Sequence, residues 1–438
     1  MPLGPKRPGL VLTLAAGLAL AGGCQAPVTP PLSKGVGGDL AVKFKTDATN
    51  AQREALRARW GARSGGELLP GVERWHVAGG TDLEAIAQSL TQDPAVEFAQ
   101  PDRLRRICTY PTPPSASQQW FLATQAGLNI TTAWTSASAN PPGNGVVVAI
   151  VDTGIDTSHP DLAANIATDA SGNKRFIDEV GDGVEGSDVS YHNKDGNGHG
   201  THVAGIVAAN GTILGVAPGA KLLPVKTMRS TGDGDDFTIA KGLKDAADAG
   251  AVIINLSVGG PDPSPVLAEA IAYDFSKGAV VVIASGNAGQ AVYYPAAYRG
   301  VISVGAVNNQ RQVASYSNRG KELAIVAPGG DSPTDRARGI YSTFPTYDVV
   351  LNQEEGKSHN YAVQAGTSMA TPMVSGAAAL VIAEARLKGQ SLSPEQVRAR
   401  LLASATSIEG SGYHNSSGYG MLNPQGALLW GSHDGAGL

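Results

Sequence analysis

The stretch Val146-Val-Val-Ala-Ile-Val-Asp-Thr-Gly-Ile-Asp156 carries the strongest fold signal in the sequence. Its apolar run has no polar interruption and ends at Asp152, just before a glycine-containing turn. Continuous Val and Ile residues are typical of a strand that is buried on both faces, as strands of parallel sheets are. Because ligands of such sheets bind outside the carboxyl ends of the strands, we expect Asp152 to face a functional crevice.

Similar apolar runs follow along the chain and alternate with segments of helical spacing. The further strand candidates are Lys221–Val225, Val252–Val258, Ala279–Ala284, Val301–Val304 and Leu323–Val326. The helix candidates are His199–Ala209, Phe237–Ala249, Pro265–Lys277, Ser368–Arg386 and Pro394–Ala403. This alternation predicts an α/β domain with a mostly parallel sheet, helices on both of its faces and right-handed crossovers.

Two other motifs supply the partners of a hydrolytic site. His199 lies in Asn197-Gly-His-Gly-Thr-His-Val-Ala-Gly205, and Ser368 lies in Ala365-Gly-Thr-Ser-Met-Ala-Thr-Pro372. A serine hydroxyl is a poor nucleophile unless a base takes its proton, and that base needs a carboxylate to orient it. We therefore predict that His199 is the base for Ser368 and that Asp152 orients His199.

The histidine motif also allows a metal interpretation, in which His199 and His202 bind zinc. The Glu of a His-Glu-x-x-His motif is absent, so this interpretation is not favoured. We expect His202 to be a packed, hydrogen-bonded helix residue.

The three motifs, in the chain order Asp, His, Ser, resemble those of the subtilisin-like serine peptidase family, the subtilases. The resemblance implies that Asn287, in Ile283-Ala-Ser-Gly-Asn-Ala-Gly289, forms an oxyanion hole with the Ser368 backbone N–H. It also implies that substrate binds as an added strand beside two short segments that wall the main side-chain pocket. These wall residues are Ser257, Val258, Gly259, Ala284, Ser285 and Gly286. Because the walls are small and uncharged, we expect broad cleavage after large apolar residues.

The chemistry needs no cofactor, but a structural Ca²⁺ is an open expectation. Asp161, in His159-Pro-Asp-Leu162, resembles a family position that ligates Ca²⁺, although the loop expected to pair with it, at 209–215, is short. The segment before His199 is rich in acids, whose hard oxygen atoms suit Ca²⁺, and a solvated acidic loop is the alternative. These acids are Asp178, Glu179, Asp182, Glu185, Asp188 and Asp195.

The N-terminus predicts export. Residues 1–24 combine Lys6 and Arg7 with the apolar run Leu10–Leu20, which is shorter than the ~20 residues of a membrane-spanning helix. The sequence around Cys24 resembles a bacterial lipoprotein processing site, with Cys24 as the lipidated residue; a plain secretory signal is the alternative. The other cysteine, Cys108, has no Cys/His catalytic signature around it.

The rest of the chain divides into a small domain, a linker and the catalytic domain. Residues 38–103 show a β-α-β-β-α-β pattern, typical of a ferredoxin-like α+β domain, and resemble the inhibitory propeptide of subtilases. A Pro- and Ser-rich linker at 104–117 would contain the maturation site, and 118–430 would form the catalytic domain.

Together these features predict an exported serine endopeptidase that is made as a zymogen. It would act as a monomer on protein or peptide substrates, with its own propeptide as an intramolecular inhibitor. The net charge of −5 and the absence of a Lys/Arg cluster argue against a nucleic-acid partner. Two alternatives are a catalytically inactive peptide-binding relative and an esterase that uses the same three residues.

Overall fold

Residues 39–69, 71–78, 81–101, 119–122, 127–180 and 191–430 are described by a computed structural model of the chain. The chain divides into two units, Met1–Thr109 and Tyr110–Leu438. The predicted signal peptide with Cys24, the linker at 104–117 and Cys108 lie outside the described residues.

The first unit has the predicted β-α-β-β-α-β order. Its elements are β1 (Asp39–Phe44), α1 (Asn50–Arg59), β2 (Arg63–Leu69), β3 (Val72–His76), α2 (Leu83–Thr91) and β4 (Val96–Pro101). The sheet order is β2-β3-β1-β4, and β1 runs antiparallel to both β3 and β4. Because side chains alternate along a strand, Leu40, Val42 and Phe44 of β1 share one face and join the buried core under the helices. This confirms the predicted ferredoxin-like fold.

The second unit is built on a seven-stranded sheet. Its strands are β5 (Val147–Asp152), β6 (Ile177–Asp178), β7 (Lys221–Lys226), β8 (Ile253–Leu256), β9 (Val280–Ala284), β10 (Ile302–Val307) and β11 (Ile325–Pro328). The order is β11-β10-β9-β8-β5-β7-β6, and every pair is parallel. A two-stranded antiparallel ribbon consists of β12 (Ile340–Thr343) and β13 (Tyr361–Gln364).

The helices of this unit pack around the sheet and against one another. They are α3 (Ile130–Ser136), α4 (His199–Ala208), α5 (Asp236–Asp248), α6 (Pro265–Ser276), α7 (Val350–Glu355), α8 (Thr367–Leu387), α9 (Pro394–Ala403) and α10 (Pro424–Leu429). Helix α4 packs against α8, and α5 packs against α6. The prediction of a parallel α/β sheet with covering helices is confirmed.

The strand order places a crevice at the carboxyl end of β5. Strand β7 lies on one side of β5 and β8 lies on the other, so the direction in which strands are added reverses at β5. Parallel sheets bind ligands at such a reversal. Strand β8 ends at Leu256, two residues before the predicted end, because Ser257 and Val258 leave the sheet and line this crevice.

Helix α8 packs against the strands whose carboxyl ends form the crevice. It is 21 residues long, and by length and composition alone it could cross a membrane. However, 94% of its most apolar stretch is buried inside the protein. It packs along β8, β9, β10 and β11. It is therefore the core helix of this unit, and its N-terminus holds Ser368 at the sheet edge.

A buried carboxyl group lies in α6, away from the crevice. Asp274 is fully buried, and neither of its oxygen atoms has a hydrogen-bond partner among the described residues. Burial, with a smaller contribution from the negative charge of Asp248, raises the pKa of Asp274 from 3.8 to about 7. Ionisation of Asp274 therefore destabilises the folded state.

We predict that Asp274→Asn stabilises the protein at alkaline pH but not at acidic pH. The unfolded chain releases this proton near pH 4 and the folded chain near pH 7, so wild-type stability falls between these values and stays low above them. Three pKa units correspond to roughly 4 kcal/mol as an upper estimate. Urea unfolding near pH 4 and pH 9, in a Ser368→Ala background, measures the difference.

Asp262→Asn, at an exposed loop position, is the matched control and should change stability little at either pH. An equal effect of Asp274→Asn at both pH values would show that Asp274 does not ionise in the folded protein.

Candidate active site

A cleft of about 660 Å³ lies at the carboxyl ends of β5, β8 and β9. It brings together residues from motifs that are far apart in sequence. Of the predicted site residues, those that line it are Asp152, His199, Ser257, Val258, Gly259, Ala284, Gly286, Asn287 and Ser368.

Asp152 and His199 form a direct contact in this cleft. The His199 Nδ1 atom lies 2.7 Å from Asp152 Oδ1, which also accepts a hydrogen bond of 2.8 Å from the Thr153 N–H. Asp152 is fully buried, whereas 23% of the His199 side chain is exposed. The contact orients the imidazole ring so that Nε2 remains for a proton transfer.

Gly200 allows this close approach of α4 to β5. A Cβ atom at this position would lie 2.1 Å from the Gly154 carbonyl oxygen and 3.2 Å from Asp152 Oδ1. Any side chain would therefore force α4 away from the carboxylate that His199 contacts.

Asp195 ties together the segments that carry Asp152 and His199. Its Oδ1 accepts hydrogen bonds from the Thr153 hydroxyl and from the Asn197 and Gly198 N–H groups, at 2.8–3.0 Å. Its Oδ2 accepts from the N–H and the hydroxyl of Thr201 in the first turn of α4. Five donors thus stabilise one buried carboxylate, which joins the turn after β5 to the start of α4.

The surrounding charges set the protonation of His199. Burial alone would lower its pKa, but the charge and hydrogen bond of Asp152, with a smaller contribution from Asp195, outweigh burial. The pKa of His199 therefore lies above its ordinary value of 6.5. The imidazolium form is stabilised where a base has to accept a proton.

Ser368 lies in the first turn of α8, with its hydroxyl in the cleft. The hydroxyl donates a hydrogen bond of 3.0 Å to the Ser257 carbonyl, not to His199. Catalytic hydrogen bonds are often misaligned in the absence of substrate. The Ser368 N–H has no acceptor among the described residues, as expected for the first turn of a helix.

Asn287 is held so that its amide N–H groups face the cleft. Its Oδ1 accepts hydrogen bonds from the Thr367 N–H at 2.9 Å and the Thr367 hydroxyl at 2.8 Å. A backbone N–H can only donate, so the oxygen must face Thr367. A Cβ atom at Gly366, where φ is 155°, would lie 3.2 Å from Asn287 Nδ2 and 3.7 Å from the Ser368 nitrogen. Glycine at this position leaves the space between the two donors open.

These features place the chain among known proteins. A model of the Subtilase family matches residues 143–420. The chain belongs to this family. It is a subtilisin-like serine endopeptidase, a hydrolase that acts on proteins or peptides.

Relatives of this subtilase cover most of its length. Subtilisin DY of Bacillus licheniformis is 40% identical over 293 residues, which is 65% of this chain and 91% of that protein. A thermophilic serine proteinase of Bacillus sp. (strain AK1) is 32% identical over 404 residues, covering 90% of this chain and 88% of that protein. A solved protease structure from Pseudoalteromonas arctica PAMC 21717 matches with a TM-score of 0.58 and 32% identity, covering 74% of this chain and 99% of that chain.

Ser285 is the one predicted wall residue that is not among the residues lining the subtilase cleft. Its side chain is fully buried, and its hydroxyl lies 3.5 Å from the Asn318 carbonyl. Its neighbours Ala284 and Gly286 line the cleft, and the place of Ser285 in the pocket wall stays a prediction.

Several cleft residues were not predicted from the sequence. They are Met228, Tyr293, Pro333, Leu351, Glu355, Lys357, Gln364 and Ala365, together with Thr153, Asn197, Gly232, Ala288 and Thr367. Thr153, Asn197, Ala288, Ala365 and Thr367 lie inside the motifs quoted from the sequence, and Gln364 directly precedes the Ser368 motif, so proximity to these motifs is the signal that could have found them. The remaining residues come from separate segments that carry no motif.

Asp161 supports a short loop through its own hydrogen bonds. Its carboxylate accepts from the Thr212 N–H at 3.0 Å, the Ile213 N–H at 3.1 Å and the Tyr361 hydroxyl at 3.0 Å. These donors occupy oxygen lone pairs that a Ca²⁺ ion would use, so the residues around Asp161 do not fit a calcium ion as they stand.

The acids before His199 have separate partners. Asp178 accepts from two backbone N–H groups and contacts His192, Glu179 pairs with Lys241, and Asp195 is saturated as described above. The residues that the structure describes include no group of three His, Cys, Asp or Glu side chains that could hold a metal. Asp182, Glu185 and Asp188 lie outside the described residues, so calcium at this loop stays a prediction.

His202 is a structural residue of α4, as predicted. Its Nε2 lies 3.1 Å from the Ile340 carbonyl and 3.2 Å from the Ala362 carbonyl, so it donates to the β12–β13 ribbon. Burial, and then the nearby charge of His199, lower the pKa of His202 to about 3. It therefore stays neutral at physiological pH.

We predict that Asp152→Asn lowers the pKa of His199 and reduces turnover by about 10⁴. The amide removes the negative charge and presents a donor to the ring. NMR titration of the imidazole in a Ser368→Ala background measures the pKa of His199. In wild type, kcat/KM should rise with pH to a midpoint above 6.5, and a flat profile from about pH 5 to 9 would rule out His199 as the base.

Proposed function

We propose that Asp152, His199 and Ser368 are the catalytic triad of this serine endopeptidase. The observation that carries the proposal is the 2.7 Å contact between His199 Nδ1 and Asp152 Oδ1 in the cleft that also contains Ser368. An imidazole oriented by a buried carboxylate, with a pKa above its ordinary value, is suited to accept a serine proton.

The reaction begins when Ser368 leaves the Ser257 carbonyl and donates its hydrogen bond to His199 Nε2. The hydroxyl oxygen then attacks the scissile carbonyl carbon while His199 takes the proton, and Asp152 stabilises the imidazolium. The oxyanion accepts hydrogen bonds from the Asn287 side chain and the Ser368 N–H. His199 next gives its proton to the leaving amine, and water hydrolyses the acyl-enzyme by the same steps in reverse order.

Substrate is expected to add a strand at Ser257–Gly259. Among the described residues, the backbone groups of Val258 and Gly259 make no hydrogen bond, so they are available to an extended chain. The pocket between this segment and Ala284 and Gly286 is small-walled and uncharged, which supports broad cleavage after large apolar residues.

The first unit is proposed to be an inhibitory propeptide, residues 38–103, that assists folding and is then cut off. Two observations support this role. The unit has its own hydrophobic core and precedes the family match at residue 143. The 90% of the chain that aligns with the strain AK1 proteinase is also longer than the second unit alone, so the similarity extends into the first.

Export through residues 1–24 and lipidation of Cys24 complete the proposal. The charged start and the apolar run of this segment support export, and the residues around Cys24 support lipid attachment. A cut at 104–117 would then release the catalytic domain, 118–430, from its anchor.

We predict that an organophosphate labels Ser368 and abolishes hydrolysis of casein. Mass spectrometry of the labelled protein should find the adduct on Ser368, because this hydroxyl lies in the same cleft as His199 and the oxyanion donors. Ser368→Ala should lose the label, and Ser358→Ala, at an exposed serine outside the cleft, should keep it. A chain that binds peptides without being labelled or hydrolysing them would instead be a catalytically inactive relative, and a chain that hydrolyses short esters but not casein would be an esterase.

We also predict that maturation depends on the enzyme's own activity. Wild type should release a soluble catalytic domain, whereas Ser368→Ala should remain full-length and lipid-labelled. Cys24→Ala should lose the lipid label, and Cys108→Ala, the other cysteine, should keep it. Absence of release from wild type would refute lipid anchoring followed by self-cleavage. N-terminal sequencing of the released protein would locate the cut.

A further inference from the structure

The segment between β12 and β13 forms a wall of the cleft that no sequence motif predicted. We name Val349–Lys357 the α7 wall, and Leu351, Glu355 and Lys357 of this wall line the cleft. Val349 and Leu351 pack with Phe344 and Ala362 in a small hydrophobic cluster that is separate from the main core.

Hydrogen bonds clamp the ends of the segment that carries this wall. The Asp156 carboxylate accepts from the N–H and hydroxyl of Thr346, at 3.0 and 2.7 Å. At the other end, His159 Nε2 lies 2.8 Å from the Asn360 carbonyl and donates to it. Both anchors belong to the turn after β5, so the α7 wall is positioned by the same turn that follows Asp152.

The α7 wall joins the segment that precedes His199 to the segment that precedes Ser368. The Val350 N–H donates to the Gly196 carbonyl at 3.1 Å, and the Leu351 N–H donates to the Asn197 carbonyl at 3.3 Å, two residues before His199. At its far end, Lys357 Nζ donates to the Val363 and Pro333 carbonyls, both at 2.9 Å. Val363 begins the stretch that runs through Gln364 and Ala365 into the Ser368 motif.

This location corresponds to the leaving-group side of the scissile bond. The acyl side is assigned above to Ser257–Gly259 and to Ala284 and Gly286, none of which contacts the α7 wall in the hydrogen bonds described here. In the proposed mechanism His199 gives its proton to the leaving amine, so the substrate chain beyond the scissile bond must pass His199. The α7 wall is the part of the cleft that adjoins both His199 and the residues preceding Ser368.

The exposed charge that the α7 wall presents to the cleft is carried by Glu355. The Glu355 side chain is 52% exposed, whereas Lys357 is only 8% exposed and its ammonium group contacts two carbonyl oxygens and, at 3.4 Å, Glu355. Asp152, the other acid in the cleft, is fully buried. Glu355 is therefore the one exposed acid among the cleft-lining residues that the structure describes.

We propose that the α7 wall is a binding subsite for the leaving-group part of the substrate, and that Glu355 makes this subsite prefer a basic residue. The proposal rests on the proposed endopeptidase function and adds a specificity that the uncharged acyl-side pocket does not supply. An exposed carboxylate attracts a Lys or Arg side chain and repels an Asp or Glu side chain, at a strength that salt screens.

The test uses enzyme matured from the full chain and internally quenched peptides. The peptides share one acyl half with a large apolar residue at the cleavage site, and they carry Lys, Gln or Glu at the first or the second leaving-group position. For wild type we expect kcat/KM to be about two- to fivefold higher with Lys than with Glu at one of these positions, and the ratio to fall at high salt. Glu355→Gln should make kcat/KM nearly equal for the Lys and Glu peptides, and Glu355→Lys should make kcat/KM higher for the Glu peptide.

Glu354→Gln is the matched control, because Glu354 is the exposed neighbouring acid of α7 and does not line the cleft. It should keep the wild-type ratio. The proposal is overturned if wild type shows no preference, if Glu355→Gln keeps it, or if Glu354→Gln removes it equally. In each of these outcomes the peptides are still hydrolysed; failure to hydrolyse either the peptides or casein would overturn the endopeptidase function itself.

Discussion

The geometry of the site depends on the hydrogen bonds that the buried carboxylate of Asp195 accepts. Asp152 is delivered by a strand and His199 by a helix, and a contact of 2.7 Å between them requires the two elements to keep a fixed separation. Asp195 provides this by accepting five hydrogen bonds, one from the turn after β5 and four from the residues that lead into and begin α4. Hydrogen bonds offset the cost of burying a carboxylate, so these five donors favour one arrangement of the two segments.

The same helix shows how environment separates two identical side chains. His199 and His202 are one turn apart on α4, yet the pKa of His199 is raised while that of His202 is lowered to about 3. His199 faces the carboxylate of Asp152, which favours the charged form more than burial disfavours it. His202 faces two carbonyl groups of the β12–β13 ribbon, which need one neutral N–H donor. One histidine can therefore exchange protons during a reaction, and the other stabilises the fold.

The turn after β5 also links the proposed triad to the proposed leaving-group subsite. Asp152 contacts His199, while Asp156 and His159 anchor the two ends of the segment that carries the α7 wall. These anchors tie both ends of the segment to the turn that follows Asp152. Glu355 does not take part in them, so a substitution of Glu355 can change the proposed subsite without removing the contact between Asp152 and His199.

The sequence by itself determined the elements of the sheet and pointed to the three residues that are proposed to react. Long Val and Ile runs specify buried parallel strands, and a polar residue at the end of such a run must lie at the sheet edge. The ferredoxin-like order of the first unit followed from its alternating pattern in the same way. These signals are local, so one sequence is enough to show them.

Only the tertiary structure decided which other residues reach the cleft. The α7 wall and the β12–β13 ribbon have no long apolar run, and their positions come from hydrogen bonds to residues about 150 to 200 positions away in sequence, such as that between Asn360 and His159. The Ser285 side chain is buried beside Asn318 and does not line the cleft. Asp195 is a saturated structural carboxylate and Ser368 donates to Ser257, since hydrogen-bond partners depend on three-dimensional neighbours that a linear pattern does not contain.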